Sequence, residues 1–249
     1  MNQKGEHSLD ILVVNAISTD IYNARRAELL RPELHPRTYL EIVSIDHGFP
    51  SLEYMNEEMV NAIYVVDKVV WGEENGFDAV LINCFFDPGL YEAREKVSIP
   101  VVGAGEASLC LSTRLGHKFA VLATSEKSIP KIERSIERYH LDKECSGVIS
   151  LGIGVPRLQE EGLSDEITAI LRRQIDKAMA GGAEAITVGC TASIGIGKLL
   201  SQISPIPVID PAIVSLKITE MMGSLYRNSG LSHGKTCSYA PKEVWQAPK

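Results

Sequence analysis

The sequence predicts an α/β protein of two parallel-sheet halves, related by a pseudo-twofold axis, with a cleft between them. Three observations predict it. Apolar runs of strand length alternate with stretches of helix character from residue 11 to residue 223, the pattern of a parallel sheet with helices on both faces. The strand runs, such as ILVVNA and FAVLA, are apolar almost throughout rather than at every second position, as strands covered on both faces are. The chain also repeats itself. Gly76 matches Gly182, Ala79 matches Ala185 and Cys84 matches Cys190 at an offset of 106, while IPVV from Ile99 matches IPVI from Ile206 at 107. Ser108-Leu109 with Ser215-Leu216, and Gly116 with Gly223, keep that second offset, and a near-constant spacing over four elements marks a duplicated unit.

The elements follow in order. ILVVNA (11–16) and RTYLEIVSID (37–46) read as the first two strands. In 57–76, Met59, Ile63, Val66 and Val70 form an apolar stripe at helical spacing, and Gly76 is a stop signal. AVLIN (79–83) is the next strand. Asp87 and Pro88 then read as N-cap and first residue of a helix over PGLYEAREKV. IPVVGAG is strand and turn, and EASLCLSTRLG is a helix ending at Gly116. The second half offers FAVLATSE (119–126) as a strand and 164–182 as a helix capped by Ser164 and stopped near Gly181. EAITVG and IPVI are strands, and VSLKITEMMG is a helix ending at Gly223. The expected division is 8–106 for the first half, with the C-terminal helix 213–228 packing back on it, and 107–212 for the second. An extended or disordered tail is expected over 229–249, where Tyr239 and Trp245 are placed to pack on a neighbouring subunit of a homo-oligomer.

Composition narrows the function. A net charge of −7 over 249 residues, without a Lys/Arg cluster, argues against nucleic acid. No apolar run reaches the roughly 18 residues of a membrane span, and the polar start MNQKGEHSLD lacks the apolar core of a signal peptide. A cytoplasmic protein acting on a small molecule is expected. Five cysteines without a CxxC pair suggest free thiols rather than a disulfide framework or zinc knuckle. The six histidines are scattered, and GAGEAS and GIGVP are neither a P-loop nor a dinucleotide fingerprint. Neither a metal nor an organic cofactor is expected.

Cys84 and Cys190 carry the chemistry. Ligands of parallel sheets bind beyond the carboxyl ends of the strands, and both cysteines stand there, each followed by a turn and a helix start. Unpaired N–H groups at such a start are expected to lower a thiol pKa. Two acid/base groups on opposite sides of one carbon can exchange its proton and invert it. The bland alternative is that each is a small core residue, which suits Cys110 and Cys145 better; Cys237 falls in the tail. The loops NAIST, ATSEKS and GCTAS offer hydroxyls and backbone N–H groups for a carboxylate or imide, as a binding protein would also need.

NCFFDPGLYEARE, IPVVGAGEAS, KFAVLATSEKSIP, GFPSLEY and VGCTAS resemble the aspartate/glutamate/hydantoin racemase superfamily, most closely its hydantoin and allantoin racemase branch. The resemblance spans most of residues 9–225. It implies a cofactor-independent racemase with Cys84 and Cys190 as the catalytic pair. It also implies substrate-binding groups at Asn83, Phe85, Thr124, Ser125, Gly189, Thr191 and Ala192, with Pro50 and Ser51 bordering the pocket. At the end of the first strand, where that branch has Asn-Pro-Asn, this chain has Asn15, Ala16 and Ile17, so an apolar side chain replaces a polar pocket contact. The substrate therefore stays open between a 5-substituted hydantoin or allantoin and a small dicarboxylate or amino acid handled by another isomerase or lyase of the superfamily. A non-catalytic binding protein is the third reading.

Overall fold

The computed structural model describes residues 8–240. It contains two four-stranded parallel sheets with helices on both faces. The first sheet comprises β1 (Leu9–Asn15), β2 (Thr38–Ser44), β3 (Ala79–Ile82) and β4 (Val101–Gly103), in the order β2-β1-β3-β4. The second comprises β5 (Phe119–Ala123), β6 (Cys145–Ser150), β7 (Ala185–Val188) and β8 (Val208–Ile209), in the equivalent order β6-β5-β7-β8. In each sheet the chain first builds outward on one side and then on the other. The reversal lies between β1 and β3, and between β5 and β7, which is where open α/β sheets leave a crevice for ligand.

The helices of the first half are α1 (Asn23–Leu30), α2 (Met55–Glu74), α3 (Leu90–Lys96) and α4 (Ala104–Leu115). Those of the second are α5 (Ile129–Arg138), α6 (Val155–Glu161), α7 (Asp165–Ala180), α8 (Ile196–Ser201) and α9 (Pro211–Ser229). Among the described residues no helix is long and apolar enough to cross a membrane. Leu12, Val14, Val80 and Ile82 face α2 and α3, while Ile11, Val13 and Leu81 face α1 and α9. In the second sheet, Leu122, Ile186 and Val188 pack on α7 and α8, and Phe119 and Val121 pack on α4 and α5. The central strands β1, β3, β5 and β7 are thus covered on both faces, which is why their sequences show no alternation, while the outer strands β2 and β6 are largely half-buried.

Two helices cross between the halves. α4 leaves the first sheet yet packs on β7, where Ser112 and Thr187 share a buried hydroxyl hydrogen bond of 2.6 Å. α9 leaves the second sheet and lies on β1, β3 and β4, and the two crossing helices pack against each other.

Several local expectations need correction. The α2 stripe is rotated from the one expected: Asn61, Val65, Val69 and Gly72 are buried, whereas Met59 and Ile63 are 69% and 63% exposed. This helix carries valines around most of its circumference, so periodicity alone offered two faces. Asn61 decides between them, its amide binding the Ala16 and Phe49 carbonyls and the Phe49 N–H. α9 does not stop at Gly223 but runs to Ser229, because that glycine lies against Ala79 and Leu9, where a helix without a side chain sits close to the sheet. Asp87 is not the N-cap of α3, a position taken by Gly89 at φ 72°. Cys110 and Cys145 are not buried core residues: Cys110 is exposed on α4, and Cys145 is half-buried at the start of β6. Residues 230–240 form an irregular arm along β4, with Val101 N–H donating to His233 Nε2 (2.9 Å) and Ser232 donating to the Ser98 carbonyl (2.5 Å). Tyr239 rests on this chain's own Tyr91, and Trp245 lies outside the described residues.

Candidate active site

The site is built from the strand ends at the two reversals. Asn83 N–H donates to the Val14 carbonyl and Gly189 N–H to the Leu122 carbonyl, each at 2.9 Å. These equivalent bonds carry each loop one residue past its strand, and a cysteine follows. Each loop then closes by the same turn bond, Asp87 N–H to the Cys84 carbonyl (3.0 Å) and Ser193 N–H to the Cys190 carbonyl (3.3 Å). Gly89 and Gly195, at φ 72° and 88°, start the following helices from the left-handed region, which costs glycine little.

Each loop is also anchored in the opposite half. Phe85 is buried in the core of the second sheet with Leu109, Phe119 and Ile132, and Ile194 joins the cluster of Ile11, Leu81 and Leu216 on the first. Thr191 Oγ1 donates to the Asn83 carbonyl at 3.0 Å, tying the two loops together directly. A shift of one half therefore moves both cysteines.

The candidate residues divide into three groups. Asn15, Asn83, Gly189 and Thr191 are buried beside the cysteines. Asn83 Nδ2 donates to Asn15 Oδ1 (2.8 Å) and Asn15 Nδ2 donates to Asn23 Oδ1 (2.7 Å), while Ser44 Oγ donates to the Thr19 carbonyl (2.7 Å) and lies 3.1 Å from Asn23 Oδ1. Asn83 Oδ1 is left buried with no partner among the described residues. Ile17, Ser51 and Thr124 are half-buried, with Ser51 Oγ 3.3 Å from Glu57 Oε2. Pro50, Ser125 and Ala192 are exposed. The Phe85 side chain belongs to the core, so this residue has only backbone groups to offer the cleft. The Thr191 hydroxyl is engaged by the Asn83 carbonyl.

Sequence reasoning missed three charged neighbours. Arg26 on α1 is close enough to feel both Cys190 and Cys84; burial pulls its guanidinium below the ordinary arginine range, and the two sulfurs pull it back. Lys131 on α5 is buried, pairs with Glu58 of α2 at 3.0 Å, and donates to the Leu52 carbonyl at 2.9 Å. It lies 3.7 Å from the Phe86 ring centroid. No motif announces these residues, because each reaches the cleft from an element far away in sequence.

The expectation of a low thiol pKa fails for Cys84. Burial pushes it up to about 12, the Phe86 amide opposes that, and Glu58 and Asp87 reinforce it beyond what nearby Lys131 recovers. Desolvation of a thiolate outweighs what a helix start can return. Cys190 is more exposed than Cys84. Asp87 is itself buried: Gly105 N–H (2.9 Å), Glu106 N–H (2.7 Å) and Tyr139 OH (2.5 Å) donate to its carboxyl, yet burial still raises it to about 7.

A family model described as Asp/Glu/Hydantoin racemase matches residues 11–219. A hydantoin racemase of Rhizobium meliloti is 29% identical over 89% of this chain and 92% of its own. The crystal structure of allantoin racemase from Pseudomonas fluorescens superposes with a TM-score of 0.83 at 28% identity, covering 97% of this chain and 100% of that one. Allantoin racemase from Klebsiella pneumoniae gives 0.82 at 25% identity, with 97% of each chain covered.

Proposed function

This chain belongs to the Asp/Glu/hydantoin racemase family, and from that premise we propose that it inverts the ring carbon of a 5-substituted hydantoin or allantoin by two-base proton transfer between Cys84 and Cys190, without a cofactor. The observation that carries this reading is the pair of thiols on equivalent turns, tied to each other through Thr191 and Asn83 and both felt by Arg26.

The unequal burial of the two thiols supports one order of roles. Cys84 is the more deeply buried and holds its proton up to about 12, which supports giving it the donor role first and giving Cys190 the base role. The Cys190 sulfur takes the ring proton. The C–H electron pair moves into the adjacent ring carbonyl as an enolate, which backbone N–H groups of the two loops stabilise. The Cys84 S–H then protonates the opposite face. The products are the inverted ring, a Cys190 thiol and a Cys84 thiolate, which is the state required to convert the other enantiomer. Asn83 Oδ1, buried and without a partner among the described residues, is an acceptor suited to a ring N–H.

The direct test is proton–deuterium exchange at the ring carbon in deuterated water, starting from each enantiomer. Absence of exchange across a panel of hydantoins and allantoin would remove the proposal. Cys84→Ser and Cys190→Ser should each lower racemisation by about 10²–10⁴-fold, while each variant keeps exchange on the enantiomer whose proton its remaining cysteine removes. Full racemisation by either variant would exclude the two-base scheme.

A further inference from the structure

Arg26, half-buried on α1, differs from the two fully buried cations near the cleft and its rim. Lys131 has Glu58 and the Leu52 carbonyl as partners, and Arg94 holds Glu106 and the Val101 carbonyl. The Arg26 side chain makes no hydrogen bond or ion pair among the described residues, and its Nη1 is wholly buried. The Tyr22 ring lies 5.6 Å from its Cζ. The ionisable groups that bear on it are Cys190, Cys84 and Tyr22, none of them a carboxylate. A buried guanidinium N–H without an acceptor is costly, and proteins keep such groups where a ligand completes them.

We propose that Arg26 is the receptor for a carboxylate carried by the substrate, so that the molecule inverted between Cys84 and Cys190 bears an acidic substituent. The planar fork of a guanidinium matches a carboxylate through two parallel hydrogen bonds, and a carboxylate would supply both the missing acceptor and the missing charge. α1 holds the group beside the cleft, where it fixes the substituent while the ring carbon lies between the thiols. The proposal rests on reading this cleft as a racemase site, and it selects acidic substrates over the neutral hydantoins and allantoin which that reading equally admits.

The test compares hydantoin-5-acetic acid with its neutral isostere hydantoin-5-acetamide, and adds aspartate as an open-chain acid. Binding by calorimetry and kcat/KM for proton exchange are measured on the wild type, Arg26→Met and Arg26→Lys. The expected result is a preference of about tenfold or more for acid over amide, the discrimination of a charge-assisted hydrogen bond. That preference should be lost in Arg26→Met and partly kept in Arg26→Lys. No preference in the wild type, or one that survives Arg26→Met, overturns the proposal. An equal fall for acid and amide, accompanied by a shifted pH profile of thiol alkylation, also overturns it, since Arg26 would then act on the sulfurs instead. Arg26-dependent binding of the acid without any exchange would keep the receptor and remove the racemase reading. Arg26-dependent turnover of aspartate but not of the ring acid would keep the carboxylate and replace the ring with an open chain.

Discussion

The two halves place their cysteines on the same turn and then surround them differently. In the first half the carboxylate lies within the cysteine loop: Asp87, at φ 50°, turns its side chain onto the start of α4. The equivalent position in the second half is Ser193, and the carboxylate instead comes from the strand end, where Asp210 caps α9 through Ala212 N–H and also holds Gly195 N–H at the start of α8. Both arrangements clamp a cysteine loop to the helix that follows the last strand. Each needs a glycine opposite the acid: a Cβ on Gly103 would lie 2.6 Å from Asp87 Cγ, and one on Gly197 would lie 2.7 Å from Asp210 Cβ. The duplicated backbone has been kept while the acid has changed sides. One consequence is electrostatic, since the carboxylate within the loop stands next to Cys84 and adds to its raised pKa, behind burial and Glu58. A symmetric framework therefore holds an asymmetric pair of thiols.

The largest expected sign of that asymmetry is chemical. With Cys84 at about 12 against the usual 9.0, its thiolate fraction near neutrality is about a thousandfold below that of an ordinary thiol, since each unit is tenfold. Iodoacetamide followed by peptide mass mapping should label Cys190 well before Cys84. Equal labelling rates would show the two environments to be alike.

The carboxylates should differ next. Asp87→Ala leaves two helix-start N–H groups and the Tyr139 hydroxyl without an acceptor, and should cost about 3 kcal/mol of unfolding free energy; Asp210→Ala should cost about 1–2 kcal/mol. Denaturant unfolding measures both. Asp87 also makes the first half sensitive to pH. Its folded value is raised from 3.8 to about 7, so its contribution to stability is complete below the unfolded value and is lost as pH rises through about 7. The stability of the wild type relative to Asp87→Asn should fall across that window; a flat difference would mean that the carboxylate is ionised throughout.

The smallest effect concerns the tie between the loops. Thr191→Val removes the hydrogen bond to the Asn83 carbonyl and should destabilise by about 1 kcal/mol. If the tie also fixes the thiols, exchange should slow for both enantiomers alike. A loss confined to one enantiomer would mean that Thr191 serves one half only.

Much of this was legible in the residues. Near-continuous apolar runs announced strands covered on both faces, and the offsets of 106 and 107 announced two equivalent units and singled out Cys84 and Cys190 from the five cysteines. Local chemistry determines these features, because strand and helix periods and turn glycines act over a few residues. What only the tertiary structure decided depends on contacts between distant segments. It chose the buried face of α2 through Asn61, sent α4 and α9 across to opposite sheets, and turned Asp87 away from α3 and onto α4. It also brought Arg26, Glu58 and Lys131 to the thiols from three helices. The raised Cys84 pKa belongs to this second class, because desolvation and neighbouring charge are properties of where a side chain comes to rest.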